Sequence, residues 1–192
     1  MTCIVGLIED GIIYMGGDSA TCDGGSVQII NGSKVFKRDD FLFGISGSPR
    51  MADVLKYNFE IPFKEYKDQN DLEFLHKFFI PELRTALSVN GVLNNENEFL
   101  SSDSWVLIGY NCRLFLMDNR FHLGENRLKY NAVGSGACEA LGCLYGLHDL
   151  MKAEWIKNLS PHEKIKLALR ASEAFNCCVR GPFTIISTDE NK

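Results

Sequence analysis

TCIVGLIEDGIIYMGGDSAT, running from Thr2 to Thr21, holds two short β-rich runs, Cys3 to Ile8 and Ile12 to Gly16, on either side of Glu9-Asp10-Gly11. An Asp-Gly pair is the strongest local signal for a tight hairpin, because both residues tolerate the positive φ that such a turn requires. The stretch therefore predicts an antiparallel hairpin. Working outward, the polar, Gly-rich segment Asp18 to Gly32 reads as a connection. Lys34 to Phe36 and Phe41 to Ile45 then form a second strand pair joined across Lys37 to Asp40. After that the apolar period changes from two to that of a helix. Pro49 to Phe59 is one helix, and Asp71 to Val89 is another, carrying Leu72, Leu75, Phe79, Leu83 and Leu87 on one face, with Pro81 marking a kink or break.

The alternation resumes in Trp105 to Ile108 and Arg113 to Met117, a hairpin across Gly109-Tyr110-Asn111-Cys112, followed by short extended pieces near His122 and Ala132. Gly136 to Lys152 is helical. Ser160-Pro161-His162-Glu163 supplies an N-cap, a first-turn proline and a capping glutamate for a last helix reaching about Cys178, and Phe183 to Ser187 closes as a strand. Strands, two helices, strands, two helices and a strand predict an α+β fold: a four-layer αββα sandwich of two antiparallel sheets flanked by helix pairs. Nothing in the 192 residues reads as a linker, so residues 1–192 are expected to form one domain.

A composition 45% hydrophobic and 23% charged is rich enough for a continuous core. A net charge of −5 without a clustered Lys/Arg stripe argues against a nucleic-acid partner. No apolar run approaches the ~20 residues of a membrane-spanning helix. The opening MTCIVGLIEDG lacks the features of a secretory signal, and an odd cysteine count of seven does not suggest a disulfide framework, so a cytoplasmic protein is expected. Cys138, Cys143, Cys177 and Cys178 lack the spacing of a zinc site and read as buried small hydrophobes, and no metal is expected. The four histidines suggest no rival centre, and no G-x-S-x-G elbow is present.

Thr2 follows Met1, and an initiator methionine is removed when the next residue is small, so the processed chain is expected to begin with Thr2. The strand behind it would hold that terminus rigidly. A free α-amine has a reference pKa of about 7.7–8.0 and lies within reach of the hydroxyl of its own residue, so one residue can supply both nucleophile and base.

Five stretches carry a resemblance: Thr2-Cys3-Ile4-Val5-Gly6, Gly16-Gly17-Asp18-Ser19-Ala20-Thr21, Ser33-Lys34-Val35, Gly44-Ile45-Ser46-Gly47, and Gly134-Ser135-Gly136 before a helix. Together, and in their spacing from Thr2 to Asp18 to Lys34, they resemble the proteasome β subunits and the HslV peptidase of bacteria, N-terminal nucleophile (Ntn) hydrolases. The likeness thins between Glu60 and Ser102 and again after Phe175.

The resemblance implies a threonine endopeptidase that needs no cofactor. Thr2 would be the nucleophile, Lys34 the cation that keeps the α-amine neutral, and Asp18 the acceptor that aims Lys34. Gly47, with Gly44 as its rival, would supply the backbone N–H for the oxyanion, and Ser135 would bond the Thr2 amine or hydroxyl. Thr21 would pair with an extended substrate by strand addition, with Ser46 as a second substrate-binding residue. Plainer readings stand beside these: a solvated lysine, an aspartate in a turn, and a serine capping the helix at Gly136. Near the chain's end the family usually places an aspartate; this chain has Asn176 there, as a possible accessory that lacks the charge. The resemblance also implies polypeptide substrates, a homo-oligomeric ring and an ATP-dependent unfoldase. A catalytically silent ring subunit and an Ntn hydrolase of small amides are the alternatives.

Overall fold

The computed structural model describes residues 2–23, 25–64, 70–96, 99–150 and 158–189. The opening hairpin follows from its turn. β1 (Ile4–Glu9) and β2 (Ile12–Gly17) pair from Ile4↔Gly17 to Glu9↔Ile12 across Asp10 and Gly11, at φ 51° and 78°. Two left-handed residues in succession give the turn whose twist matches that of the strands it joins. There follow β3 (Ala20–Asp23), β4 (Ser26–Ile29), β5 (Val35–Arg38) and β6 (Phe41–Ser46). After the first helices come β7 (Asn94–Glu96), β8 (Phe99–Ser101), β9 (Trp105–Tyr110), β10 (Arg113–Met117), β11 (Leu123–Glu125), β12 (Tyr130–Val133) and, last, β13 (Thr184–Ser187).

Two antiparallel sheets carry the fold, one in the order β12-β1-β2-β13 and the other β11-β10-β9-β6-β5. Alternate residues of their central strands face opposite layers. On β1, Ile4 faces the second sheet, while Val5 and Leu7, with Cys3 just before the strand, face the helices α4 (Ala137–Tyr145) and α5 (Pro161–Phe175). On β6, Leu42 faces the first sheet, while Phe41, Phe43 and Ile45 pack on α1 (Pro49–Asp53), α2 (Asp71–Phe74) and α3 (Ile80–Val89) with the π-helical turns between them. Three apolar clusters thus fill three gaps, helix on sheet, sheet on sheet and sheet on helix. This is the expected four-layer α+β sandwich.

Several local expectations change. The helical path from Asp71 to Val89 is continuous, and Pro81 does not break it. A π-helical turn at Leu75–Phe79 precedes it, and Pro81 falls in the first turn of α3, where its missing N–H is tolerated. The β9–β10 turn is two residues, Asn111 and Cys112 at φ 48° and 58°, because the strands run on to Tyr110 and Arg113. The last helix starts with the expected Ser160/Glu163 capping box but ends at Phe175 rather than near Cys178. The connection Asp18 to Gly32 contains the β3–β4 hairpin, whose β4 side chains are all exposed. Of the four cysteines expected inside, Cys178 is buried, Cys143 is half-buried, and Cys138 and Cys177 are exposed. Helix α4 continues as a π-helical turn, Gly146–Leu150, and the expected extension to Lys152 lies outside the described residues. Among the described residues no helix is long and apolar enough to cross a membrane.

Candidate active site

All the strands that matter here terminate at one end of the sandwich. β1 begins there and β2 ends there, by the Ile4↔Gly17 register; β5 begins there and β6 ends there; β12 arrives there at Val133. Continuing the β1–β2 ladder by one step sets Cys3 opposite Asp18. The Asp18 N–H donates to the Cys3 carbonyl at 3.2 Å, and the Asp18 side chain folds back so that Oδ1 accepts from the Cys3 N–H at 2.9 Å. Its Oδ2 accepts from the Ala20 N–H at 3.0 Å. The carboxylate therefore fixes the backbone on both sides of the strand end.

Lys34 comes from the other sheet. It immediately precedes β5, and its carbonyl accepts from the Ile45 N–H at 3.0 Å. Its Nζ reaches across to Asp18 Oδ1 at 2.9 Å and to the Ala20 carbonyl at 2.5 Å. Asp18 is 1% exposed, so the pair sits at the boundary of the core, where neither charge is stable without the other. The ammonium and the first amide after Thr2 converge on the same oxygen atom. Thr2 is itself 4% exposed, and its nitrogen donates to Ser135 Oγ at 3.4 Å.

The Gly134-Ser135-Gly136 turn wraps the Thr2 carbonyl. Gly136 N–H donates to it at 3.2 Å and Ser135 Oγ lies 3.5 Å from it. Gly134 has φ 100°, and a Cβ there would stand 2.1 Å from the Thr2 carbonyl oxygen and 2.9 Å from Ser46 Oγ, so no other residue fits. Ser46, at the end of β6, thereby borders the same turn. Ser135 does not cap α4; the N-cap is Gly136, and no side chain bonds the helix start. Gly47 follows Ser46 at φ 128°, packed so closely on the next loop that a Cβ would lie 2.2 Å from the Asp103 carbonyl. Gly44 stands apart from the site. It faces the first sheet, where a Cβ would come within 2.3 Å of Ile4 Cγ2, so its lack of a side chain serves the contact between sheets.

Thr21 lies on β3, opposite Gln28, and among the described residues β3 pairs only with β4. Asn176 is the C-cap of α5; its Nδ2 donates to the Ser135 carbonyl at 2.9 Å and its Oδ1 accepts from Cys178 N–H at 3.1 Å. The structure thus gathers Thr2, Asp18, Lys34, Ser135 and Asn176 into one bonded cluster, with Ser46 bordering it at the Gly134 turn. Sequence reasoning missed Ser172. It is fully buried on α5, where its Oγ donates to the Gly136 carbonyl at 2.6 Å and meets Cys3 Sγ at 3.2 Å, and no motif marks it. Burial pushes the Cys3 thiol up to about 12, against a smaller lowering by Ser172. Among the described residues no three His, Cys, Asp or Glu side chains are placed to hold a metal ion.

No protein-family model matches the chain. It is 27% identical over 175 residues to the proteasome subunit beta of Methanocaldococcus jannaschii, a match covering 88% of this chain and 72% of that protein. A structure of BPH from Thiobacillus denitrificans in complex with epoxomicin superposes with TM-score 0.76 and 22% identity, covering 97% of each chain. The eukaryotic HslV of Trypanosoma brucei superposes with TM-score 0.65 and 15% identity, over 97% of this chain and 98% of that one.

Proposed function

We propose, from the premise that this chain is proteasome β- and HslV-like in sequence and fold, that it is a threonine endopeptidase subunit acting through Thr2 once Met1 is removed. Met1 lies outside the described residues. The observation that carries the reading is the convergence of Cys3 N–H and Lys34 Nζ on Asp18 Oδ1, with the Thr2 nitrogen directed to Ser135. Lys34, bonded to the carboxylate that also holds the amide after Thr2, supports the reading of a cation that favours the neutral form of the Thr2 amine.

In this mechanism the free Thr2 amine takes the proton of its own hydroxyl as Oγ attacks the substrate's peptide carbonyl. The tetrahedral oxyanion is stabilised by the Gly47 N–H. The intermediate collapses by expelling the substrate amine, which receives the proton from the Thr2 ammonium, and an ester on Thr2 remains. Water, deprotonated by the same amine, attacks the ester and releases the acid. Lys34 holds the amine neutral, Asp18 holds Lys34, and Ser135 orders the proton path; no cofactor takes part. An extended peptide would add to the outer edge of β3 at Thr21, with Ser46 beneath it, so backbone rather than side chain would dominate recognition.

The same reading makes the protein a cytoplasmic homo-oligomeric ring that cleaves polypeptides fed by an ATP-dependent unfoldase; light-scattering mass of the purified protein tests the ring. For the chemistry, Met-free protein is assayed on fluorogenic peptides beside Thr2→Ala and a form that retains Met1. Hydrolysis by the first alone is expected. Equal rates in all three would overturn the reading.

A further inference from the structure

Ser172 is a hydroxyl in an apolar setting. It sits in the last turn of α5 with no exposed surface, one turn from Ala168 and Leu169 in the cluster that joins α5 to the first sheet. A buried hydroxyl costs stability unless bonded, and the usual remedy inside a helix is the carbonyl one turn back. That carbonyl, Ala168, is available at 3.3 Å, yet the shorter bond, 2.6 Å, leaves the helix for the Gly136 carbonyl. Four residues further along the same face, Asn176 Nδ2 donates to the Ser135 carbonyl at 2.9 Å. Its amide orientation is fixed by chemistry, since Oδ1 must accept from Cys178 N–H. Two side chains at i and i+4 therefore hold two consecutive carbonyls.

Those carbonyls flank the peptide that orients Ser135. We propose that Ser172 and Asn176 are positioning residues which clamp Ser135 and Gly136 from helix α5 and so set where the Ser135 hydroxyl stands against the Thr2 nitrogen. The inference rests on the peptidase reading for its kinetic consequence. The clamp closes on the other side as well: Cys3 Sγ lies 3.2 Å from Ser172 Oγ and 3.4 Å from the Gly136 carbonyl, so residue 3 and residue 136 meet at the same hydroxyl. A Cβ on Gly136 would lie 2.9 Å from Ser172 Cβ and 3.0 Å from Cys3 Cβ, leaving no slack in the segment. Neither Ser172 nor Asn176 needs to touch substrate. Each acts through Ser135.

The test uses Met-free Ser172→Ala and Asn176→Ala. Alanine is a good helix former, and Asn176 is the C-cap of α5, beyond its last helical residue, so its truncation leaves the helix intact while removing the donor to Ser135. Both variants are therefore expected to fold. In each, kcat on a fluorogenic peptide is expected to fall about 10- to 100-fold with KM within about twofold. Hydrogen exchange at the Gly136 amide is expected to accelerate in the same variants. Turnover and exchange moving together support the clamp. Either moving without the other, or neither moving, overturns it. If Met-free wild type shows no turnover that depends on Thr2, the peptidase reading has failed on its own terms; Gly136 exchange then still decides whether the two side chains hold the segment.

Discussion

Asp18 uses both carboxylate oxygens to fix the chain around Thr2, accepting from Cys3 N–H, Ala20 N–H and Lys34 Nζ. Replacing Lys34 by Met would leave that carboxylate buried without its cation. The cost in stability is about 3 kcal/mol, the low end for breaking a buried pair, because two amides still hold the oxygens. Losing the cation also lets the Thr2 amine protonate more readily, so the rise of kcat/KM with pH should move to higher pH in Lys34→Met. A pH profile unchanged in position would separate Lys34 from the amine. Cys3 gives a second residue-scale expectation. With its pKa pushed up by burial to about 12, its stability contribution is full below the ordinary thiol value of 9.0 and is lost as pH rises toward the folded value. At neutral pH Cys3 should resist iodoacetamide in the folded protein, while the exposed Cys112, Cys138 and Cys177 react; peptide mapping reads the pattern. The opening hairpin was legible from Asp10-Gly11, but its turn is two residues rather than the Glu9-Asp10-Gly11 separation expected, and that register is what sets Asp18 opposite Cys3. The approach of Lys34 from the other sheet was not legible. Only resemblance pointed to it, and nothing pointed to Ser172.

At the scale of elements, α2 is tied to the second sheet through its first residue. Asp71 accepts from Lys64 at 2.8 Å, from Asn111 at 3.0 Å in the β9–β10 turn, and from Arg113 at 3.1 Å on β10. Burial alone would push its carboxyl up; the bonds from Lys64, Asn111 and Arg113 outweigh it and hold the group below the ordinary value. A depressed folded value means stability that is present above the unfolded pKa of about 3.9 and is lost as pH falls through the folded value. Asp71→Asn should therefore lose melting temperature less steeply than the parent protein as pH falls below about 4, the remaining slope belonging to Glu125, Glu163 and other paired carboxylates. Melting curves that fall in parallel would assign the acid limb to other groups. The same element shows where reading stops. Its apolar spacing made the helix visible, but the three-way tie depends on a turn of two residues rather than the four that alternation suggested. The β3–β4 hairpin was missed for a related reason: with every β4 side chain exposed, there is no alternation to read.

Across the whole molecule, the layered architecture was legible because each layer boundary demands its own apolar surface. β1 and β6 are buried on both faces and so read as continuous apolar runs, and the helices over them show a single apolar face. What the order of elements did not reveal is that every strand bearing a candidate residue ends at the same edge of the sandwich. That follows from antiparallel pairing in both sheets, which alternates strand ends between two edges. The consequence is chemical, because those ends bring the Lys34–Asp18 pair to the amide after Thr2 and the Ser135 hydroxyl to the Thr2 nitrogen. Intact mass spectrometry of Met-free protein, quenched in acid during turnover of a peptide ester, measures this most directly. The expected result is one added acyl group per chain, mapped by fragmentation to Thr2 and absent from Thr2→Ala; an acyl group on any other residue, or the same adduct in Thr2→Ala, would contradict it.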